Sequence, residues 1–165
     1  MNKKRLVVAF SGPSNSGKTT AIVKVASILQ DQSFKVCIVK HDPKDKAMFD
    51  REGKDSFKFS QTGADVAVVS PNKTTVFKKG SSSIDELISI FDDFDYLLVE
   101  GLKTLDLPRI SIFRNKLDDS YFNVSNALAV DETIDKSSIP KSLDILDLNN
   151  PEELIIWIDK NAKKV

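Results

Sequence analysis

The sequence predicts an α/β fold, a mostly parallel, twisted sheet flanked by helices, with a β-hairpin insertion. Through the first half of the 165 residues, short apolar runs alternate with segments of helical period, which is the pattern of βαβ units. The first apolar run, Leu6–Phe10, lacks the alternation of a half-exposed strand and so indicates a central strand covered on both faces. Two further strand-like runs flank Pro71-Asn72-Lys73 and predict the hairpin. We expect a single domain over residues 1–165.

The other elements follow from the same patterns along the chain. Residues 17–30 predict an amphipathic helix, because apolar residues recur there at helical spacing. The polar stretch 40–56 has no clean period and predicts a long loop. Short apolar runs predict strands at residues 6–10, 36–39, 65–70, 74–77, 96–99, 110–113, 127–130 and 143–146.

Two helix starts carry capping signals. Ser83 and Glu86 have the spacing of a capping box, so a helix should follow to near Phe91. Asn150 precedes Pro151, which predicts a capped last helix with proline at its first position.

The composition excludes several classes of protein. Lys+Arg and Asp+Glu balance at 24 each, but residues 1–83 carry a balance of +8 and residues 84–165 one of −8, which fits an anion site or two halves that neutralise each other. Cys37 is the single cysteine, so the sequence argues against intrachain disulfides and structural zinc and for a cytoplasmic protein. No apolar run reaches the roughly 18 residues of a membrane span, and no basic-aromatic cluster indicates nucleic-acid binding.

The strongest chemical signal is Gly12-Pro-Ser-Asn-Ser-Gly-Lys-Thr19, a full match to the pattern G-x-x-x-x-G-K-[ST]. It follows a predicted buried strand and opens a predicted helix, where backbone N–H groups and the helix dipole hold phosphates. Lys18 supplies a charge for the β- and γ-phosphates, and Thr19 supplies a hydroxyl for Mg²⁺. The expected nucleotide-binding residues are Gly12, Ser14, Asn15, Ser16, Gly17, Lys18, Thr19 and Thr20.

A second component of such a site is an acidic residue after a neighbouring apolar strand. Glu100 ends the run that begins at Tyr96, and Gly101 follows it. The Glu100 carboxylate is expected to contact Mg²⁺, directly or through water, or to orient the attacking water. The alternative is that Glu100 only ends a strand.

Three further positions are weighed as ligand contacts. Lys40 and His41 end the second predicted strand, where ligands of open α/β sheets bind, so both are candidates for phosphate or substrate contact. Asn115-Lys-Leu-Asp118 resembles a guanine-reading motif, but it follows Glu100 too closely for a helical crossover, and we expect a solvated turn. Asp131, after another predicted strand, is a further candidate for contacting a base.

With these residues assembled, the chain resembles the molybdopterin-guanine dinucleotide biosynthesis protein B family. The resemblance runs over roughly residues 5–115. Two departures from the family pattern are Asp42-Pro43-Lys44, where further histidines are common, and Leu102, where phenylalanine is usual. The matching segments are the phosphate loop Gly12–Thr20, Lys40-His41, Gly53-Lys54-Asp55-Ser56, Gly63-Ala64 and Glu100-Gly101-Leu102-Lys103.

The resemblance implies a P-loop NTPase-like fold that binds GTP with Mg²⁺, hydrolyses it weakly and forms a homodimer. It also implies a guanylyltransferase partner that attaches GMP to molybdopterin, with molybdopterin itself a further candidate ligand. Lys18, Glu100 and Asp55 are then the catalytic candidates, and Thr19 and Glu100 the metal ligands. The residues expected to contact other ligands or the partner are Lys40, His41, Lys54, Ser56, Gly101 and Lys103.

Two other functions remain open at this point. A small-molecule or nucleotide kinase would need a closing lid, for which loop 40–56 is a candidate, although it carries only one arginine, Arg51. Of the four arginines, Arg51 is the one expected to reach phosphates. A non-catalytic adaptor that binds nucleotide to fix its shape would need no catalytic groups beyond the phosphate loop.

Overall fold

The structure is a computed structural model that describes residues 3–165, and the chain divides into two compact units. We call residues up to His41 together with Asp93–Val165 the sheet unit, and Asp42–Asp92 the hairpin unit. The helices are α1 (Lys18–Asp31), α2 (Asp55–Gln61), α3 (Ile84–Phe91) and α4 (Pro151–Asn161). The strands are β1 (Leu6–Ser11), β2 (Val36–Lys40), β3 (Val66–Ser70), β4 (Lys73–Phe77), β5 (Tyr96–Glu100), β6 (Arg109–Phe113), β7 (Ala127–Val130), β8 (Asp144–Asp147) and β9 (Lys163–Lys164).

The sheet unit is built on one mostly parallel sheet, which confirms the predicted fold class. Its strand order is β2-β5-β1-β6-β7-β8, all parallel, and the short β9 pairs antiparallel with β1. In the register, Glu100 lies beside Phe10 on one side and beside Lys40 on the other. The parallel register therefore brings the ends of β1, β2 and β5 to one edge of the sheet.

Helices α1 and α4 cover the same face of the sheet. The predicted apolar stripe of α1 is confirmed, since Ala21, Val25 and Leu29 are buried. On α4, Leu154 and Ile158 are buried in the same apolar cluster. Full burial of such side chains stabilises the fold by about 1.5–3 kcal/mol each. A second cluster, formed by Phe113, Tyr121, Leu128, Val130, Ile134 and Ile139, packs beside β6 and β7.

The connection from β5 to β6 contains no helix, because β6 begins at the level of the sheet at which β5 ends. Glu100, the last residue of β5, pairs with Phe10, and Arg109, the first residue of β6, pairs with Ala9. The chain therefore crosses the end of β1 without returning along the whole sheet. The turn expected after β6 is confirmed, and Asp118 caps a 3-10 helix with its carboxylate.

The hairpin unit contains α2, β3, β4 and α3, and it confirms the predicted hairpin. Strands β3 and β4 pair antiparallel, and Ser70 opposite Lys73 leaves the two-residue turn Pro71-Asn72. The predicted capping box is also present, since the Glu86 backbone N–H donates to Ser83 Oγ at 3.2 Å and the Ser83 N–H donates to Glu86 Oε2 at 3.1 Å.

Helix α2 and strand β9 are among the elements that the sequence did not predict. The predicted loop 40–56 is wrong at its end, because α2 begins at Asp55, where an acidic residue interacts favourably with the helix dipole and pairs with Lys58. Strand β9 has only two residues and no apolar pattern, and it forms because β1 offers it a partner. Within residues 3–165, no helix is both long and apolar enough to cross a bilayer.

Candidate nucleotide-binding site

The phosphate loop joins the buried strand β1 to helix α1, as its motif predicted. Gly12 has a φ of 135°, and a Cβ on it would lie 2.4 Å from the backbone oxygen of Ile112. Only glycine fits this close approach, because any other residue would collide with the backbone of β6. Asn15 and Gly17 also have positive φ angles, of 62° and 97°. The loop therefore turns sharply, in the manner of loops that surround phosphates.

The N-terminus of α1 is suited to an anion. Gly17 is the N-cap residue, no side chain of the described residues caps the helix, and its first turn holds no acidic residue. The first N–H groups of a helix have no partner within it and carry the positive end of the helix dipole. Thr19 and Thr20, in this first turn, are exposed. A phosphate group would satisfy these donors and the dipole together.

Lys18 lies folded against its own loop. Its Nζ donates to the backbone oxygen of Pro13 at 2.6 Å. Burial lowers the pKa of Lys18 below its ordinary value, and nearby Lys40 and Lys103 act in the same direction, whereas the Glu100 carboxylate opposes them. The structure thus places Glu100, Lys40 and Lys103 close enough to Lys18 for their charges to act on it.

Three loop residues differ in their exposure. Ser16 is buried, and its hydroxyl has no hydrogen-bond partner among residues 3–165. Ser14 and Asn15 are exposed on the loop surface. A buried hydroxyl without a partner is costly, so the Ser16 hydroxyl has a hydrogen bond still to make.

Glu100 is held at the sheet edge by the neighbouring strand. Lys40 Nζ donates to both of its carboxylate oxygens, at 3.2 and 3.3 Å. The His41 backbone N–H donates to the Glu100 backbone oxygen at 3.0 Å. Gly101 has a φ of 90°, and a Cβ on it would lie 2.9 Å from the Cβ of His41, so glycine is required for β2 and β5 to end this closely together. Lys103, on the exposed loop that follows, lies with Nζ 3.4 Å from the ring centroid of Tyr121.

Arg109 is a residue of the site that the sequence analysis missed. It is buried, and one guanidinium nitrogen donates to Ser11 Oγ at 2.7 Å and to the Gly101 oxygen at 2.8 Å. The other terminal nitrogen donates to the backbone oxygens of Leu102 and Leu105. Burial lowers the pKa of Arg109 below its ordinary value. Arg109 thus joins the end of β1 to the loop that follows Glu100, and only the fold brings its partners together.

Arg114, just after β6, also contacts the phosphate loop. Its Nε, Cζ and Cδ lie 3.4–3.9 Å from the position that a Cβ on Gly17 would take. A cavity of about 380 Å³ lies at this contact. The cavity is lined by Asn15, Gly17, Lys18, Thr19, Thr20 and Arg114. Of the four arginines, only Arg51 was expected to reach phosphates, so the position of Arg114 was not predicted. Arg114 lies far from the phosphate loop in the sequence, and no sequence pattern connects the two.

Three predicted site residues lie in the hairpin unit. Lys54 precedes α2, and Asp55 begins it and pairs with Lys58 at 3.1 Å. Ser56 Oγ donates to Asp50 Oδ1 at 2.9 Å. Their part in a nucleotide site remains a prediction.

The residues of the sheet edge fit Mg²⁺ by their donor chemistry. Among residues 3–165, no group of three His, Cys, Asp or Glu residues could hold a metal ion alone. Mg²⁺ does not need such a group, because it keeps several waters and binds through one or two protein oxygens together with substrate phosphates. The Thr19 hydroxyl and the Glu100 carboxylate are oxygen donors of this kind, and Glu100 already binds a cation, the ammonium group of Lys40.

The part of the chain that contains this site matches a known family. The family described as molybdopterin guanine dinucleotide synthesis protein B matches residues 7–132. The chain belongs to this family.

Individual relatives share a moderate sequence identity with this member of the molybdopterin guanine dinucleotide synthesis protein B family. A molybdopterin-guanine dinucleotide biosynthesis adapter protein of Escherichia coli K12 is 27% identical over 169 residues, covering 93% of this chain and 94% of that protein. A relative in Methanocaldococcus jannaschii is 27% identical over 132 residues, and the match covers 76% of this chain and 55% of that protein. The chain thus matches about half the length of that relative.

A solved structure shows the same fold. The crystal structure of Bacillus subtilis MobB matches with a TM-score of 0.76 and 22% identity, over 94% of this chain and 98% of that one. The sheet order, the flanking helices and the phosphate loop between β1 and α1 make the fold P-loop NTPase-like.

Proposed function

We propose that this chain is an adapter protein of molybdopterin guanine dinucleotide synthesis that binds GTP with Mg²⁺ and hydrolyses it slowly. The observation that carries the nucleotide part is the uncapped N-terminus of α1, which opens on a phosphate loop containing Lys18. Family membership and the similarity to the Escherichia coli adapter protein support the adapter part.

The phosphate loop is proposed to hold the β- and γ-phosphates. The amides at the start of α1 point their donors at the phosphate oxygens, and the Ser16 hydroxyl gains the partner that it lacks among the described residues. Lys18 exchanges its contact with the Pro13 oxygen for a phosphate oxygen. This exchange replaces a neutral acceptor by a charged one, which makes the hydrogen bond stronger.

Hydrolysis is proposed to follow by in-line attack of water on the γ-phosphorus, which forms one O–P bond and breaks the bond to the β-phosphate oxygen. Lys18 neutralises charge that develops on the phosphate oxygens, and Glu100 positions the water or a metal-bound water. Bound Mg²⁺ would add positive charge at the phosphate oxygens, with Thr19 and Glu100 as its protein ligands. Asp55 is a second candidate for positioning water.

Slow turnover is expected for a site of this kind, because P-loop hydrolases that lack an arginine finger turn over slowly. A physiological role as an adapter is compatible with slow hydrolysis. We further propose a guanylyltransferase as the partner, molybdopterin as a further candidate ligand, a homodimer as the oligomeric state and the cytoplasm as the location. Lys40, His41, Lys54, Ser56, Gly101 and Lys103 are the proposed ligand or partner contacts.

The test is a calorimetric titration of GTP and of ATP in the presence and absence of Mg²⁺, with the wild type and with Lys18→Ala. We expect GTP-selective binding that Mg²⁺ strengthens and that Lys18→Ala weakens at least tenfold. Lys24→Ala is the matched control, since Lys24 lies exposed on the same helix. A phosphate-release assay then measures turnover, which we expect to be slow.

Other results would point to the other functions. ATP preference with phosphoryl transfer to an added acceptor would favour a kinase. Nucleotide binding without any phosphate release would favour an adaptor that uses the nucleotide only for its shape. Binding of neither nucleotide would contradict the proposal.

A further inference from the structure

We infer that Arg114 binds the nucleoside half of the bound nucleotide, by stacking its guanidinium group against the base. The inference rests on the proposed function, because it assumes that a nucleotide occupies the phosphate loop. It adds a residue for the base, which the phosphate motif does not provide.

The position of Arg114 carries the first step. It lines the same cavity as Lys18, Thr19 and Thr20, residues of the phosphate loop. Its guanidinium group lies against Gly17, at the first turn of α1. A nucleotide whose phosphates occupy the loop therefore has Arg114 beside it.

The partners of Arg114 carry the second step. Its Nε pairs with Asp131 Oδ2 at 3.4 Å, and Nη2 donates to Asn149 Oδ1 at 3.4 Å. Asp131 is buried, and Thr133 donates to its other oxygen from both the backbone N–H and the hydroxyl. The guanidinium group is thus held at two of its three nitrogens by residues that lie just after strands β7 and β8.

These contacts favour stacking of Arg114 on the base over contact of Arg114 with the phosphates. The charge of Arg114 is already compensated by the buried Asp131 carboxylate, which weakens its attraction for a phosphate. Its planar group is held in place and its side chain is 42% exposed, so it can offer a flat surface to a ring. Arginine stacks its planar group on aromatic faces in this way, whereas lysine offers only a point charge to the face of a ring.

The experiment compares GTP with inorganic tripolyphosphate, which carries the phosphates and no base. Both are titrated in Mg²⁺ against the wild type, Arg114→Lys and Arg114→Gln, with Lys24→Gln as the control for the loss of one charge. We expect Arg114→Gln to weaken GTP binding about 2- to 30-fold, the range of cation–π contacts, and Arg114→Lys, which keeps the charge but not the planar group, to weaken it less. Both variants should leave tripolyphosphate binding unchanged within twofold. Lys18→Ala should weaken both ligands.

The outcomes separate this inference from the proposed function. Equal loss of GTP and tripolyphosphate affinity would show that Arg114 contacts phosphate. Unchanged GTP affinity in both variants would show that Arg114 contacts neither the base nor the phosphates. Either result overturns the inference about Arg114 and leaves the proposed function intact. If the wild type prefers ATP and Arg114→Gln weakens ATP but not tripolyphosphate, the inference stands and the proposal of GTP fails. If the wild type binds tripolyphosphate but neither nucleotide, both fail. Thermal unfolding of each variant identifies a loss of folding.

Discussion

Gly12 shows how far one residue constrains the site. Its φ of 135° and the 2.4 Å approach to the Ile112 oxygen leave no space for a side chain. Glycine was recognised from the motif, but the reason for it, the backbone of β6, was visible only in the fold.

We therefore predict that Gly12→Ala lowers the unfolding temperature and abolishes nucleotide binding. The unfavourable backbone conformation alone costs about 1–3 kcal/mol, and the collision with β6 adds to it. Thermal unfolding and the GTP titration measure the two effects. Gly80→Ala is the control, since Gly80 also has a positive φ, 76°, but open space around its Cβ position. Equal loss of stability in both variants would contradict the role of the close contact.

Arg109 and Arg114 show where prediction at the residue scale stops. Neither residue belongs to a sequence motif, so no pattern marks them. Arg109 reaches Ser11 across 98 residues of chain, and Arg114 reaches Asn149 across 35. Contacts of this separation depend on strand order, which the sequence pattern does not specify.

Secondary-structure elements were predicted best where local chemistry decides them. The starts of α3 and α4 were found because Ser83 and Asn150 cap them through contacts a few residues away. Helix α2 was missed because its seven residues have too little apolar period to mark a helix. What limits prediction from the sequence is the separation along the chain of the residues that interact, and not the length of the chain.

At this scale we predict that Ser83→Ala destabilises the start of α3. It removes the acceptor of the Glu86 N–H and one half of the capping box, which costs about 0.5–2 kcal/mol. Hydrogen exchange of the Glu86 and Leu87 amides should accelerate accordingly. Ser81→Ala, just before the cap, is the control and should leave these rates unchanged. Unaltered exchange in Ser83→Ala would refute the contribution of the cap.

In the whole sheet unit, Tyr96 links β5 to two distant parts of the chain. Its hydroxyl donates to Asp159 on α4 at 2.6 Å and accepts from Lys4 Nζ. The pKa of Tyr96 is raised to about 12, mainly by burial and also by the hydrogen bond to Asp159, whereas Lys4 opposes the rise. The folded chain therefore keeps this proton at a pH where the unfolded chain releases it.

We predict that the free energy of unfolding falls as the pH rises from about 10, the ordinary pKa of tyrosine, to about 12. Below pH 10 both states hold the proton, so the contribution is constant there. Denaturant unfolding between pH 8 and 12 measures the slope. Tyr96→Phe should flatten it, whereas Tyr121→Phe should not. The same slope in wild type and Tyr96→Phe would contradict this assignment.

The sequence by itself determined the class of the fold, the phosphate loop, most strands and helices, and the resemblance to the family to which the chain belongs. These depend on periodicity, on capping and on a motif of eight consecutive residues, all of which act over short distances. Only the tertiary structure decided that Lys40 lies beside Glu100 and that Arg109 holds the loop after Glu100 by hydrogen bonds. It also decided that Arg114 lines the cavity at the phosphate loop. The physical reason is that a parallel sheet gathers the ends of strands far apart in sequence at one edge, in an order set by packing of the whole unit.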